Sequence, residues 1–316
     1  MFTRVSVPTP FQIGDVNAYL AGRTLVDPGP DSEESWSALV EGLAEAELTP
    51  DDVARVIVTH AHPDHFGLAH RLRQRGASVV ATPAAARILR DFEGHFEYER
   101  SFFRDFLPRC GLGEDTAETV TALPEGYLHY APSVETDREL SAGDRVEVGE
   151  RFLLAEETMG HARNELLLRY QYDGERRAIV GDHVLPEITP NPLMQPPSEP
   201  GGERPRMLPQ YNDSLDRLAG EPFDRLLPGH RAEIDDPAGR VRAIRTAHEE
   251  RTEAVAALVD GPTAPVDVME GLFGDLPATE QFSGMSEAVG HLDVLEARGR
   301  LIKRERGRLF VYEQTQ

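Results

Sequence analysis

Short apolar runs separated by turn residues open the chain. "VSVP", "NAYLAG" and "TLVDPGP" read as strands joined by tight connections. The period then lengthens. Ser32 precedes Glu33 and Glu34, and Trp36, Leu39, Val40 and Leu43 fall on one face, which predicts a helix capped by Ser32. "DDVARVIVTH" predicts a helix end or turn running into a buried strand, and "FGLAHRLRQRG" a helix closed by Gly76. "SVVATP" predicts a further strand and "AAARILRDF" a further helix. Strands alternating with helices indicate a layered α/β domain.

Between residues 92 and 140 the alternation stops. "FEGHFEYERSFFRDFL" holds five of the thirteen phenylalanines, at a spacing that suits an amphipathic helix or helical pair. Such a stripe serves either as core packing or as a cap over a cleft. Strands resume in "DRELSAGDRVEVGERFLLAEETMGH" and end at "ELLLRYQYDGERRAIVGDH", where "YDGE" reads as a hairpin turn. Eight prolines between 186 and 209 predict a loop, acting as a wall or lid beside Asp182.

The last quarter changes style. "RVRAIRTAHEERTEAVAALV", "APVDVMEGLFG" and "SEAVGHLDVLEARG" predict three helices, the third with Val289, Leu292 and Leu295 on one face. "RLIKRERGRLFVYE" predicts a hairpin turning at Arg306–Gly307. Three helices and a β-wing describe a winged-helix module. Two domains are therefore expected, residues 1–240 and 241–316.

Composition narrows the classes. No apolar run approaches the roughly 20 residues that a bilayer requires, so no membrane partner is expected. "MFTRVSVPTPFQIG" lacks the pattern of a signal peptide. Cys110 is the only cysteine, which rules out an internal disulfide and leaves any metal to nitrogen and oxygen ligands. These points predict a cytoplasmic setting. A formal net charge of −22 repels polyanions at long range.

The densest chemistry is "THAHPDH" at residues 59–65, straight after "VARVIV". His60, His62, Asp64 and His65 sit where an extended strand end or tight turn can point alternate side chains into one cavity. Imidazole and carboxylate suit zinc, manganese or iron, and two such ions can share a site. Asp64 and His65 are placed to serve a second ion beside that of His60 and His62.

At these residues the sequence resembles the metallo-β-lactamase-fold hydrolases, whose signature is His-x-His-x-Asp-His after the second or third strand. The resemblance implies an α/β fold of αββα sandwich type, here followed by the small winged-helix domain. It also implies further ligands. "TMGHARNE" supplies His161 to the first metal, "AIVGDH" supplies Asp182 as a bridge, and "LLPGH" supplies His230 to the second metal. Met159 stands where the family often has proline, and "ARNE" follows His161 in place of the usual continuation. Asp27 in "LVDPG" resembles a family aspartate near the metal loop, with a hydrogen-bonding role expected. His183 is expected behind the ligands or facing substrate. His70, His95, His129, His248 and His291 read as packing or surface residues.

Two divalent ions about 3.5–4 Å apart lower the pKa of a shared water toward 7, which supplies a hydroxide nucleophile. Asp182 would set their separation and Asp64 would orient the nucleophile or relay its proton. "FSGMS" is no nucleophile elbow and Cys110 has no evident base beside it. The expected function is hydrolysis of an ester, thioester or lactone of a small molecule, with two Zn2+ ions, or Mn2+ or Fe in their place. The likeness extends to glyoxalase II and to the β-lactamase-like-2 group, which includes a single-strand endoribonuclease and implies a homodimer as one arrangement. A ribonuclease acting on single-stranded RNA is thus the alternative. Its support is the cluster Arg298, Arg300, Lys303, Arg304, Arg306 and Arg308. A DNA-binding regulator fits less well, because the third helix carries Glu287, Asp293 and Glu296.

Overall fold

The computed structural model describes residues 1–315. Strand β1 (Thr3–Val7) turns Val5 and Val7 inward and Arg4 and Ser6 outward, the period-two burial of a half-solvated strand. It pairs antiparallel with β2 (Val16–Ala21), which pairs antiparallel with β3 (Thr24–Val26). From there the pairing becomes parallel through β4 (Arg55–Ile57), β5 (Ser78–Ala81) and β6 (Arg138–Glu139). The change follows from the connections. Parallel neighbours need crossovers, and helices α1 (Glu33–Glu45), α2 (Pro63–Phe66), α3 (Ala69–Arg73) and α4 (Pro83–Arg90) supply them.

Ser32 caps α1 as its sequence predicts, its Oγ accepting from the Ser35 amide at 3.0 Å. Leu39 and Leu43 are fully buried on its inner face. Trp36 is half-buried, and the Arg71 and Arg75 guanidinium groups lie over its ring at 5.6 and 4.6 Å.

A second sheet comprises β7 (Arg145–Val148), β8 (Arg151–Thr158), β9 (Glu165–Tyr172), β10 (Glu175–Gly181) and β11 (Arg225–Pro228), in the order β11-β10-β9-β8-β7. The "YDGE" turn joins β9 to β10 with Asp173 at φ 54° and Gly174 at φ 80°, both left-handed as a two-residue hairpin turn needs. The two sheets bury one face each against the other, with Tyr19, Val26, Ile57 and Val80 meeting Leu153, Leu166, Leu168 and Ile179. Leu39, Leu43, Phe66, Leu72 and Leu89 pack from the helices onto the other face of the first sheet. This is the layered α/β sandwich that the sequence predicts.

These layers make one of two compact units, residues 1–93, 126–190 and 218–241. The other comprises residues 94–125, 191–217 and the chain from Arg242 onward. It therefore takes in two segments that a single cut near 240 would leave in the first domain. The reason is their apolar content. Helix α5 (Phe92–Arg109) sends Phe103, Phe106 and Leu107 into a core with Met194, Val255, Val268, Met285, Leu292 and Phe310. Phe103 meets Phe282 edge-on at 4.9 Å. The aromatic stripe is thus core packing.

The remaining helices are α6 (Glu114–Ala122), α7 (Met207–Ala219), α8 (Pro237–Leu258), α9 (Pro265–Phe273) and α10 (Ala278–Ala297). β12 (Leu301–Arg306) and β13 (Leu309–Gln314) form the closing hairpin. Three details differ from the sequence expectation. α10 begins at Ala278, ahead of "SEAV", because Pro277 at its N-cap and the Pro277–Glu280 backbone turn start it there. The hairpin turns at Gly307–Arg308, where Gly307 adopts φ 64°. The proline-rich stretch is irregular as expected, but Pro209 lies in the first turn of α7, where a missing amide costs nothing. Among the described residues no helix is long and apolar enough to cross a membrane.

Candidate metal centre

β8 and β10 both run antiparallel to β9, and β11 runs parallel to β10. The carboxyl ends of β8, β10 and β11 therefore share one edge of the second sheet. His161, Asp182 and His230 follow those three ends. On the first sheet β4 ends at Ile57, and the chain passes through Val58 and Thr59 into His60. Pro63 then starts the single turn α2, which lifts Asp64 and His65 toward the same place.

All seven residues meet. His62 Nδ1 lies 3.1 Å from His60 Nε2 and 3.0 Å from His161 Nε2. Asp64 Oδ2 lies 3.3 Å from His230 Nε2 and 3.9 Å from His65 Nε2. Asp182 faces both groups: Oδ1 is 3.6 Å from His65 Nε2, and Oδ2 is 3.4 Å from His230 Nε2 and 3.9 Å from His161 Nε2. His60, His62 and His161 can hold one ion, and Asp64, His65 and His230 another. Within each set the ligand atoms lie within 4.8 Å of one another.

The opposite nitrogens show why these faces point inward. Asp27 accepts from the Thr59 amide at 2.8 Å, from the Thr59 hydroxyl at 2.7 Å and from His65 Nδ1 at 3.0 Å. Thr59 Oγ1 lies 3.0 Å from His60 Nδ1, and the Asp15 carbonyl 2.8 Å from His230 Nδ1. With Nδ1–H engaged, His60, His65 and His230 each present Nε2 to the cavity. Asp27 thus has the hydrogen-bonding role expected of it. It occupies φ 51°, a region that aspartate visits more readily than most residues.

The donor set fits cations. His65 Nε2, His230 Nε2 and Asp182 Oδ1 are buried and, among the described residues, have no hydrogen-bond partner. They face one another and Asp64 as ion pairs without well-formed hydrogen bonds, and a cation would engage all of them. Electrostatics agrees. Burial, with His65 and His62 adding to it, holds His60 well below the ordinary imidazole range. Burial and then His161 press His62 down to about 3. Both are neutral donors at physiological pH. Burial opposes charge on His65 and His230 as well, yet Asp182 and the other carboxylates hold His65 well above its ordinary value and His230 up to about 9. Burial likewise favours a neutral Asp182, but His230 and His65 keep it well below the carboxylate range. The carboxylates demand compensating positive charge, and ions would supply it.

The sequence does not single out several supporting groups. Thr59 relays Asp27 to His60, and the Asp15 carbonyl belongs to a loop remote in sequence. Gly229 leaves room: a Cβ there would stand 2.3 Å from Asp182 Oδ1 and 2.7 Å from His65 Cε1. The Met159 sulfur accepts the Asn164 amide at 3.2 Å, which gives this departure from the family pattern a local role in the turn after His161. His183 is fully buried, with Nδ1 bonded to Glu165 Oε2 at 2.8 Å, and belongs to neither ligand set.

Comparison with known proteins agrees with this geometry. Residues 12–230 match the Metallo-beta-lactamase superfamily. The probable metallo-hydrolase YqjP of Bacillus subtilis (strain 168) is 30% identical over 297 residues, which cover 93% of this chain and 91% of that one. The crystal structure of a metallo-beta-lactamase family protein from Thermus thermophilus superposes with a TM-score of 0.81 at 27% identity, covering 99% of this chain and 98% of that one. A beta-lactamase domain protein from Burkholderia ambifaria gives 0.77 at 26% identity, covering 99% and 91%. The chain belongs to the metallo-beta-lactamase superfamily and is a metal-dependent hydrolase.

Proposed function

We propose that the chain is a dinuclear hydrolase acting on an ester, thioester or lactone of a small molecule. His60, His62 and His161 hold one ion, Asp64, His65 and His230 a second, and Asp182 faces both. The observation that carries this reading is the position of the Asp182 carboxylate, one oxygen toward His65 and the other toward both His161 and His230. When bound, two divalent ions supply Lewis acidity and an acidified water. The protein's own part is to hold the imidazoles of His60, His65 and His230 in one tautomer through Thr59, Asp27 and the Asp15 carbonyl. Asp64, beside His65 and His230, would orient the nucleophile or relay its proton. The all-nitrogen and oxygen donor set suits zinc first, with manganese or iron as substitutes.

The three C-terminal helices and hairpin are read as a winged-helix module, and the setting as cytoplasmic. The basic cluster lends the ribonuclease reading little. Arg298 pairs with Glu249 at 2.7 Å, Arg304 and Arg306 with Glu313 at 3.6 and 2.6 Å, and Arg308 with Glu114 at 3.4 Å. Arg300 pairs with Glu253. Lys303 rests over the Phe310 ring at 3.7 Å. Cations already paired attract phosphate less.

The test is metal content followed by turnover on thioester, lactone, ester and end-labelled single-stranded RNA. Two ions per chain and turnover of a small acyl substrate are expected. Asp182→Asn should lower that rate by roughly 100-fold or more with the circular dichroism spectrum retained. Turnover of RNA alone would overturn the substrate class, and a wild-type rate in the variant would overturn the role of Asp182.

A further inference from the structure

One buried carboxylate connects the two segments that carry His161 and Asp182. Those segments follow β8 and β10, which are not neighbours, since β9 lies between them. No strand ladder therefore fixes one against the other. Glu165, the first residue of β9, spans the gap. Its Oε1 accepts the Ala162 amide, immediately after His161, at 3.0 Å. Its Oε2 accepts His183 Nδ1, immediately after Asp182, at 2.8 Å. Thr158, the last residue of β8, places its Oγ1 3.3 Å from His183 Nε2. The His183 amide also donates to the Val180 carbonyl at 3.0 Å, closing the turn that presents Asp182.

Glu165, His183 and Thr158 are buried at 2%, 0% and 5% exposure. A carboxylate and an imidazole hidden this deeply stabilise a fold less than apolar residues of the same size would. What they contribute is geometry, since each hydrogen bond fixes a distance and an angle. The ligand atoms they govern, His161 Nε2 and Asp182 Oδ2, stand 3.9 Å apart. His65 and His230 are held from other segments, by Asp27 and the Asp15 carbonyl.

We infer that Glu165 and His183 are a positioning pair that holds His161 in register with Asp182, so that the ion bound by His60, His62 and His161 depends on them more than the other ion, which they reach through Asp182 alone. The inference rests on the two-ion reading above.

The experiment is cobalt(II) titration of the chelator-stripped full chain, read by calorimetry and by the visible spectrum. Wild type should take two ions. Glu165→Gln should take one ion roughly 10–100-fold more weakly and the other with a clearly smaller loss. Background variants identify the ion. Glu165→Gln should have a much smaller effect in His161→Ala than in His230→Ala, a non-additivity that a general loss of stability would not produce. His183→Gln carries the same test should Glu165→Gln fail to fold. Its amide fills the space but cannot reach Glu165 and Thr158 with the geometry of the ring, and a smaller weakening at the same ion is expected. Equal weakening at both ions, or an effect in His161→Ala as large as in His230→Ala, would overturn the positioning role while leaving the two-ion reading intact. Fewer than two ions on the wild type would instead overturn that reading and the inference with it.

Discussion

The candidate ligand cluster depends on residues that offer no ligand. Gly229 is the sharpest case, because its missing side chain is the space that Asp182 and His65 occupy. Its amide also donates to the Gly181 carbonyl at 2.7 Å, so the backbone cannot easily move away. Gly229→Ala should weaken metal binding roughly 10–100-fold while the fold persists. Competition with a chromophoric chelator measures this, and unchanged affinity would show that Asp182 and His65 can shift freely. His60, His62, Asp64 and His65 are legible in the sequence because they are nearly contiguous. Gly229 becomes meaningful only once His65 and Asp182, brought from distant segments, stand against it.

At the scale of elements, local rules predict what local forces determine. Ser32 is an example: its cap depends on neighbours three residues away, and the helix forms where the pattern says. Removing that cap in Ser32→Ala should cost about 1 kcal/mol, seen as a lower urea midpoint with unchanged slope. A midpoint equal to wild type would mean that water replaces the Oγ contact. Expectations shift where a boundary depends on an amide's partner. α10 starts at Ala278 and the closing hairpin turns at Gly307 because cap and turn geometry set those limits, whereas hydrophobic periodicity fades at element ends.

The whole molecule adds a titration that no site chemistry needs. His248 is 3% exposed, its Nδ1 bonded to Asn212 Oδ1 at 2.8 Å. Burial, reinforced by His291, Arg245 and Arg251, lowers it to about 3. In the unfolded chain the same group takes its proton near pH 6.5. Below that value the unfolded state binds a proton that the folded state refuses, so stability falls as the pH drops from about 6.5 toward 3. Between pH 7 and pH 5 this one residue should cost about 2 kcal/mol. Denaturation of wild type and His248→Gln at both values isolates it from the many carboxylates, and the variant should show the smaller loss. Identical losses would mean that His248 is protonated in the folded state.

Fold class and chemistry were readable from the chain because each has a local signature. Strand and helix periods follow from backbone geometry, and four potential ligands in six positions at a strand end need no distant partner to be noticed. Division into units was not readable in the same way. Residues 94–125 and 191–217 join the later helices because Phe103, Phe106 and Met194 find apolar partners there, a choice made by packing between segments far apart in sequence. The same holds for the supports of the centre. Asp15, Asp27, Thr59 and Glu165 carry ordinary polar groups, and folding gives them their roles by setting each within hydrogen-bond distance of a histidine or of the segment that carries one.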